Sequence, residues 1–463
     1  MKRSTRLPSA AAITPLFVAV VRPIQAFLRL EAASGIVLLS CAVAALVLAN
    51  SELSGVFREV LGAPLELGVG SLRARFSIAE LVNDGLMTIF FFVVGLEIKR
   101  ELAVGELRTL PQAVLPAIAA LGGMFLPAAL FLAFNASGPG RPGWGIPMAT
   151  DIAFCVGVLT LLRSRVPHAL IVFVTALAIF DDIGGILVIA LFYGSGLHPM
   201  WLAAVGGIVL TLVVMSRAYV RSGLAYAAVG ALLWYALHHA GIHATIAGVI
   251  LGLSVPARPR SQPRAVLSSL AAHATELLNR SSDEELDAAA IHEVEERLVE
   301  LEAPLARFLH LLHPWVAFGI MPLFALANSG VDVRALEPSQ LMGKVAIGTA
   351  VALFLGKQLG IFAFTWVAVR IGRFPMPGGA SATKLLGVAT VAGIGFTVAL
   401  FIAALAYPGR PDLLDEAKVG ILAGSLVSGL VGAGLLRLTG TVHAGRSGEN
   451  SAGARAMGKR GTG

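Results

Sequence analysis

"ALAIFDDIGGILVIALFY", Ala176–Tyr193, is apolar apart from two adjacent acids, Asp181 and Asp182. An aspartate at the centre of a membrane-spanning helix costs about 2.5–3.5 kcal/mol on insertion scales. A chain that keeps two of them side by side needs a partner for the charge or a use for it. The stretch belongs to a longer apolar run, 167–193, which is long enough to cross a bilayer. At about 1.5 Å rise per residue, Asp181 lies roughly 20 Å from either end of that run, near its middle.

The rest of the chain has the same character. Of 463 residues, 56% are hydrophobic and 14% charged, whereas about a quarter of a soluble domain is charged. Twelve runs read as spans: 32–49, 79–102, 112–135, 143–162, 167–193, 200–219, 222–238, 242–255, 308–331, 344–371, 385–407 and 415–438. The expected fold is an all-α membrane protein of twelve transmembrane helices. Its transmembrane domain covers 32–438, after an N-terminal segment at 1–31 and before a disordered basic tail at 439–463. The basic start lacks a convincing cleavage site and is expected to stay on the chain. Cys41 and Cys155 both lie in apolar runs, so they read as packing residues, not as a disulfide or metal pair. The net charge of +7 comes from Lys and Arg scattered among loops, which argues against a nucleic-acid partner.

Those basic residues set an orientation. Counting residues at span ends with the side they adjoin, 26 of the 35 Lys and Arg fall on the same side as the N-terminus and 8 on the other, with Lys357 deep inside a span. The excess marks the cytoplasmic side, so both termini are expected there. "APLELGVGSLRARFSI" (Ala63–Ile78) has a Gly-rich centre and predicts a hairpin on the outer side. A cytoplasmic polar insert, 256–304, contains "SSDEELDAAAIHEVEERLVELE" (Ser281–Glu302). This opens on a capping pattern and spaces Ile291, Val294, Leu298 and Leu301 as one helix face.

Asp181 and Asp182 are not alone at mid-depth. Asp151, in "GWGIPMATDIAF", and Lys357, in "FLGKQLGI", fall near the middles of their own runs. Four such groups left apart would cost on the order of 10 kcal/mol, so they are expected to meet. A structural ion pair accounts for Lys357 and one acid, but not for three acids against one lysine. Neighbouring residues on a helix project about 100° apart, so one aspartate can face Lys357 while the other faces Thr150 and Asp151. Carboxylates beside a hydroxyl make a hard-oxygen site suited to a hard cation. The same oxygens bind protons, and a site that holds either a proton or a cation is the core of an exchanger.

Two runs are interrupted, at "PMATD" (Pro147–Asp151) and "AGIGF" (Ala392–Phe396). Bare backbone at membrane depth is tolerated where it lines a cavity or is buried in protein. Breaks in corresponding spans, the fourth and eleventh, point to an inverted repeat of spans three to five and ten to twelve with a site at its interface. Asp151 there can offset positive helix N-termini, and Lys357 negative C-termini.

"FFFVVGLEIKREL", "GWGIPMATDIAF", "LAIFDDIGGILVIALFY", "GIHATIAGVILG", "LHPWVAFGIMPLFALANSGV", "FLGKQLGI" and "GIGFTVALFIAALA" together resemble the bacterial NhaA-type sodium/proton antiporters, in order and spacing, over about residues 30–438. The resemblance implies twelve spans with crossed, broken spans four and eleven. It implies electrogenic exchange of two protons for one Na⁺ or Li⁺ in a bacterial inner membrane, regulation of cytoplasmic pH and sodium, no cofactor, contact with lipid, and a homodimer through the outer hairpin. Carried over by motif, Asp181 and Asp182 bind Na⁺ and protons, with Asp151 and Thr150 beside them and Lys357 as charge partner of Asp181. Glu97 and Glu101, with His243, match positions tied to pH response. His310 and His313 are expected to join them near the cytoplasmic surface, since histidine titrates near neutral pH. Asp84, in "VNDGLM", matches a motif position. Three features depart from the family pattern: Leu309 stands where an acid is common, Gln358 where proline is usual, and the polar insert is long.

Two other classes compete. Intramembrane aspartyl proteases need a Gly-x-Gly-Asp element, which is absent, and aspartate-rich transferases need further spaced acids after "DDIGGIL", which has none. The chain is therefore read as a transporter and not an enzyme. A sodium-coupled symporter of an organic anion is the alternative, although Lys357 is the sole cation expected at the midplane.

Overall fold

The computed structural model describes residues 31–69, 72–194, 196–259, 266–272, 275, 302–372 and 374–439. The N-terminal segment, the basic tail and, but for its last residue, the helix expected over Ser281–Glu302 lie outside the described residues.

Apolar sequence becomes helix here because a helix satisfies its own backbone, which a lipid environment demands. The chain is an all-α membrane protein, with one two-stranded sheet among the described residues. It runs through α1 (Glu31–Ala49) and α2 (Ser54–Gly62), then β1 (Pro64–Val69) and β2 (Leu72–Ser77). The strands form an antiparallel hairpin in which Pro64 pairs with Ser77 and Val69 with Leu72, where the Gly-rich stretch predicts one. Then come α3 (Ile78–Ala103), α4 (Leu110–Phe134), a 3-10 helix (Arg141–Met148), α5 (Ile152–Leu161), α6 (His168–Phe192) and α7 (Pro199–Arg217). After these follow α8 (Gly223–Ala240), α9 (Ile246–Ser254), α10 (Pro304–Asn328), α11 (Pro338–Ile371), α12 (Ala382–Val391), α13 (Phe396–Ala406) and α14 (Pro411–Leu438).

Among the described residues, eight helices are long and apolar enough to cross a membrane, or ten if each of two bent pairs counts as one span. Those pairs are α1 with α2, bent by 114°, and α12 with α13, bent by 49°. The other two runs, 222–238 and 242–255, do form helices. Two histidines dilute the end of α8, and α9 has only nine residues.

The core brings the middle of the chain against its C-terminal third. α4 lies along α11 and α6, α14 packs on α11 and α12, and α13 packs on the 3-10 helix. The α4–α11 contact is a backbone contact. A Cβ added at Gly360 would lie 2.1 Å from the Gly122 carbonyl oxygen, and one at Gly122 would lie 2.3 Å from the Gly360 oxygen. Only glycine allows that approach, and it brings α11 in at the turn that carries Lys357.

Among the described residues, three spans contain a π-helical turn: Leu81–Leu86 in α3, Val316–Ile320 in α10 and Ala352–Gly356 in α11. The third immediately precedes Lys357. Its wider turn re-aims every later residue, and such turns concentrate at functional sites. Gln358, the departure from proline, accepts a hydrogen bond from Thr390 Oγ1 at 2.6 Å and so ties α11 to α12. Leu309 is buried and packs in the core.

Candidate functional site: a buried acid cluster between two helix breaks

The two interrupted segments lie against each other. The 3-10 helix ends at Met148, Ala149–Asp151 continue without helical bonds, and α5 begins at Ile152. Opposite, Ala392–Gly395 separate α12 from α13. The Asp151 N–H donates to the Ile394 carbonyl at 2.7 Å, which joins the two breaks through the main chain.

Asp151 then closes two helix starts with one carboxylate. Oδ1 accepts the Phe154 N–H at 3.1 Å, and Oδ2 accepts the Thr397 N–H at 3.1 Å and the Thr397 hydroxyl at 2.6 Å. The first N–H groups of any helix lack intrahelical partners and carry its positive dipole end, so a buried carboxylate answers both needs. Ser425 Oγ accepts the neighbouring Gly395 and Phe396 N–H groups, each at 3.3 Å. Asp151 is therefore a double cap, with both oxygens directed at helix ends and neither at the aspartate pair. This differs from the expectation of a single acid cluster.

Asp181 gathers the remaining partners. Lys357 Nζ lies 2.9 Å from its Oδ2, with both side chains fully buried. Thr150 Oγ1 donates to the same oxygen at 2.7 Å. One aspartate, rather than two, meets both Lys357 and Thr150. The Lys357 ammonium also donates to the Met148 carbonyl, the last of the 3-10 helix, where a negative dipole end is otherwise unmet. Asp181 Oδ1 is buried without a hydrogen-bond partner among the described residues. Asp182, half-buried on the next position of α6, makes no hydrogen bond or ion pair among the described residues. Asp181, Glu97, Asp151 and Lys357 are the charges that act on it. The arrangement offers two carboxylates with spare acceptor oxygens next to a break in the backbone, held in place by a lysine already paired.

The positions tied to pH response are distributed more widely. Glu97 Oε1 lies 4.0 Å from His313 Nε2 across α3 and α10. Glu101 instead pairs with Arg100 at 3.1 Å. His310 is exposed, one turn before His313, and makes no ion pair or hydrogen bond among the described residues. His243 follows α8 and packs edge-on against Phe401, ring centroids 6.1 Å apart. Asp84 lies in the π turn of α3. Beside it Asn328 Nδ2 donates to Asn83 Oδ1 at 2.7 Å.

Sequence reasoning did not find Thr397, whose only signal is a threonine in the first turn after the "AGIG" break. Nor could it find the Met148 carbonyl, which has no side-chain signature at all.

The family model described as Na⁺/H⁺ antiporter 1 matches residues 25–436. A protein described as Na(+)/H(+) antiporter NhaA from Anaeromyxobacter sp. (strain Fw109-5) is 72% identical over 432 residues, covering 93% of this chain and 94% of that one. Na(+)/H(+) antiporter NhaA 1 of Myxococcus xanthus (strain DK1622) is 56% identical over 425 residues, covering 92% and 95%. A solved structure, the sodium proton antiporter MjNhaP1 from Methanocaldococcus jannaschii, aligns at a TM-score of 0.48 and 15% identity over 91% of this chain and 99% of that one. From the match along nearly its whole length, the chain belongs to the Na⁺/H⁺ antiporter 1 family, the NhaA-type transporters.

Proposed function

We propose that this chain is an electrogenic antiporter that extrudes Na⁺ or Li⁺ in exchange for protons across a bacterial inner membrane. It works by alternating access and regulates cytoplasmic sodium and pH. It needs no cofactor. Both termini face the cytoplasm, twelve spans are arranged as an inverted repeat with crossed breaks in the fourth and eleventh, and two copies form a homodimer through the hairpin. The observation that carries the reading is the buried Asp181, paired on one oxygen and unpaired on the other, next to Asp182.

In this reading Asp182 and Asp181 Oδ1 take the cation, with the Thr150 hydroxyl oxygen and nearby break carbonyls completing a hard-oxygen shell. A Na⁺ between two carboxylates neutralises the charge that protons would otherwise neutralise, so loading one species expels the other. Two protons against one monovalent cation leave a net charge moved per cycle. Asp151 keeps the two breaks together while the repeats rock about them, and Lys357 holds Asp181 when the cation has left. Glu97 and His313, with Glu101, His310 and His243 further out, tune the response to pH. The symporter alternative needs a free cation for its anionic substrate, and the Lys357 ammonium already has Asp181 and the Met148 carbonyl as partners.

The test is proton flux in everted membrane vesicles, with Na⁺, Li⁺ and K⁺ added in turn. Na⁺ and Li⁺ are expected to release protons from acidified vesicles. A protein that moves no protons on Na⁺ addition overturns the proposal.

A further inference from the structure

The 3-10 helix is tied at its inner end by Lys357, and Thr150 and Asp151 follow directly from it. Its opposite end is tied by two tyrosines. Tyr407, the residue after α13, donates from its hydroxyl to the Gly140 carbonyl at 2.7 Å, in a buried position. Tyr193, the residue after α6, donates to the Pro142 carbonyl at 2.7 Å. The fit is close enough to exclude side chains. A Cβ added at Gly143 would lie 2.1 Å from the Tyr407 hydroxyl oxygen, and one at Gly145 would lie 2.8 Å from that of Tyr193.

The two anchors repeat one pattern. α6 grips the 140–151 segment twice, through Asp181 on Thr150 and through Tyr193 on Pro142. α13 also grips it twice, through Thr397 on Asp151 and through Tyr407 on Gly140. Two points fix a rod's position along another, where one point leaves it free to tilt. We infer that Tyr193 and Tyr407 are positioning residues for the cation site: their hydroxyls fix the 3-10 helix along α6 and α13, and so hold Thr150 against Asp181. The inference rests on the antiporter reading of that site.

Removing a hydroxyl tests this without removing the ring. Tyr407→Phe takes a bond from a buried carbonyl, and Gly140 retains only the Gly143 N–H at 3.1 Å. Tyr193→Phe frees the carbonyl of an exposed residue, which water can solvate. In everted vesicles the apparent KM for Na⁺ should rise between about twofold and tenfold in Tyr407→Phe, the span set by one net hydrogen bond. It should rise by less in Tyr193→Phe and most in the double variant, with maximal rate near that of the unaltered protein. Tyr226→Phe is the control, because the Tyr226 hydroxyl has no hydrogen-bond partner among the described residues; its KM should not move. Amide hydrogen exchange of purified protein should quicken over 143–151 in Tyr407→Phe. A purely structural role would lower yield or rate and leave KM in place, which overturns the inference. Unaltered protein that moves no protons with Na⁺ sinks the antiporter reading and the inference with it. Normal exchange with an unmoved KM in both Phe variants sinks the inference alone.

Discussion

Lys357→Ala isolates the energetics of the site. The variant removes the one ammonium bonded to Asp181 and leaves that fully buried carboxylate with the Thr150 hydroxyl as its remaining donor. Breaking a buried ion pair from one side typically costs about 3–5 kcal/mol, because the stranded charge keeps its desolvation cost and loses its compensation. The Met148 carbonyl also loses its donor, at about 1–3 kcal/mol for a buried unsatisfied group. The expected loss therefore starts at about 3 kcal/mol, a large share of a folded protein's margin. Thermal unfolding in detergent, followed by tryptophan fluorescence, measures it. The decisive comparison is Lys357→Ala with Asp181→Asn in one chain. With both charges gone no charge is stranded, although the Met148 carbonyl still lacks its donor, so the double variant should be more stable than Lys357→Ala alone. If the two losses simply add, the pair does not carry the energetics assigned to it. Lys357→Arg keeps the charge and should remain electrogenic in membrane-potential recordings with Na⁺ on one side. Since a guanidinium does not release its proton in proteins, a variant that transports without generating voltage would make Lys357 a proton carrier and refute the purely structural role.

Asp182→Asn should abolish Na⁺-driven proton movement in everted vesicles while unfolding at close to the normal temperature, because Asp182 holds no structural bond; retained exchange would remove it from the site. Gly360→Ala drives a methyl group into the Gly122 carbonyl and should cost about 1–3 kcal/mol in thermal unfolding through overpacking; full stability would mean that the α4–α11 contact has slack. Glu97→Gln and His313→Ala should each move the midpoint of the pH–activity profile with little change in maximal rate, and together no further than either alone, because they form one pair. His310→Ala, which removes an exposed ring with no hydrogen bond or ion pair among the described residues, should move the midpoint less than His313→Ala does, and an equal shift would mean that the Glu97–His313 pair is not the centre of the pH response.

What the sequence determines by itself is what depends on local cost. Helix existence and approximate ends follow from apolar runs and from the backbone's need for internal bonds, so the expected runs correspond to helices from α1 to α14. The hairpin follows from its Gly-rich centre. Four ionisable groups at mid-depth are conspicuous because each carries an insertion cost that any single segment reveals. Tertiary structure decides what those groups do to one another. Adjacent acids on a helix differ by a rotation of about 100°, and helix geometry alone does not say which one points at Lys357; the family resemblance names Asp181. The π turn before Lys357 and the Gly122–Gly360 contact set that direction, and Asp181 receives both Lys357 and Thr150 while Asp182 stays unpaired. Asp151 looks like a third member of an acid cluster until Phe154 and Thr397 from two separate helix starts take its oxygens. The Met148 and Gly140 carbonyls carry no side-chain signal. Main-chain groups become specific partners only when distant segments fix their positions, so the anchoring of the broken segment between α6, α11 and α13 belongs to the folded chain alone.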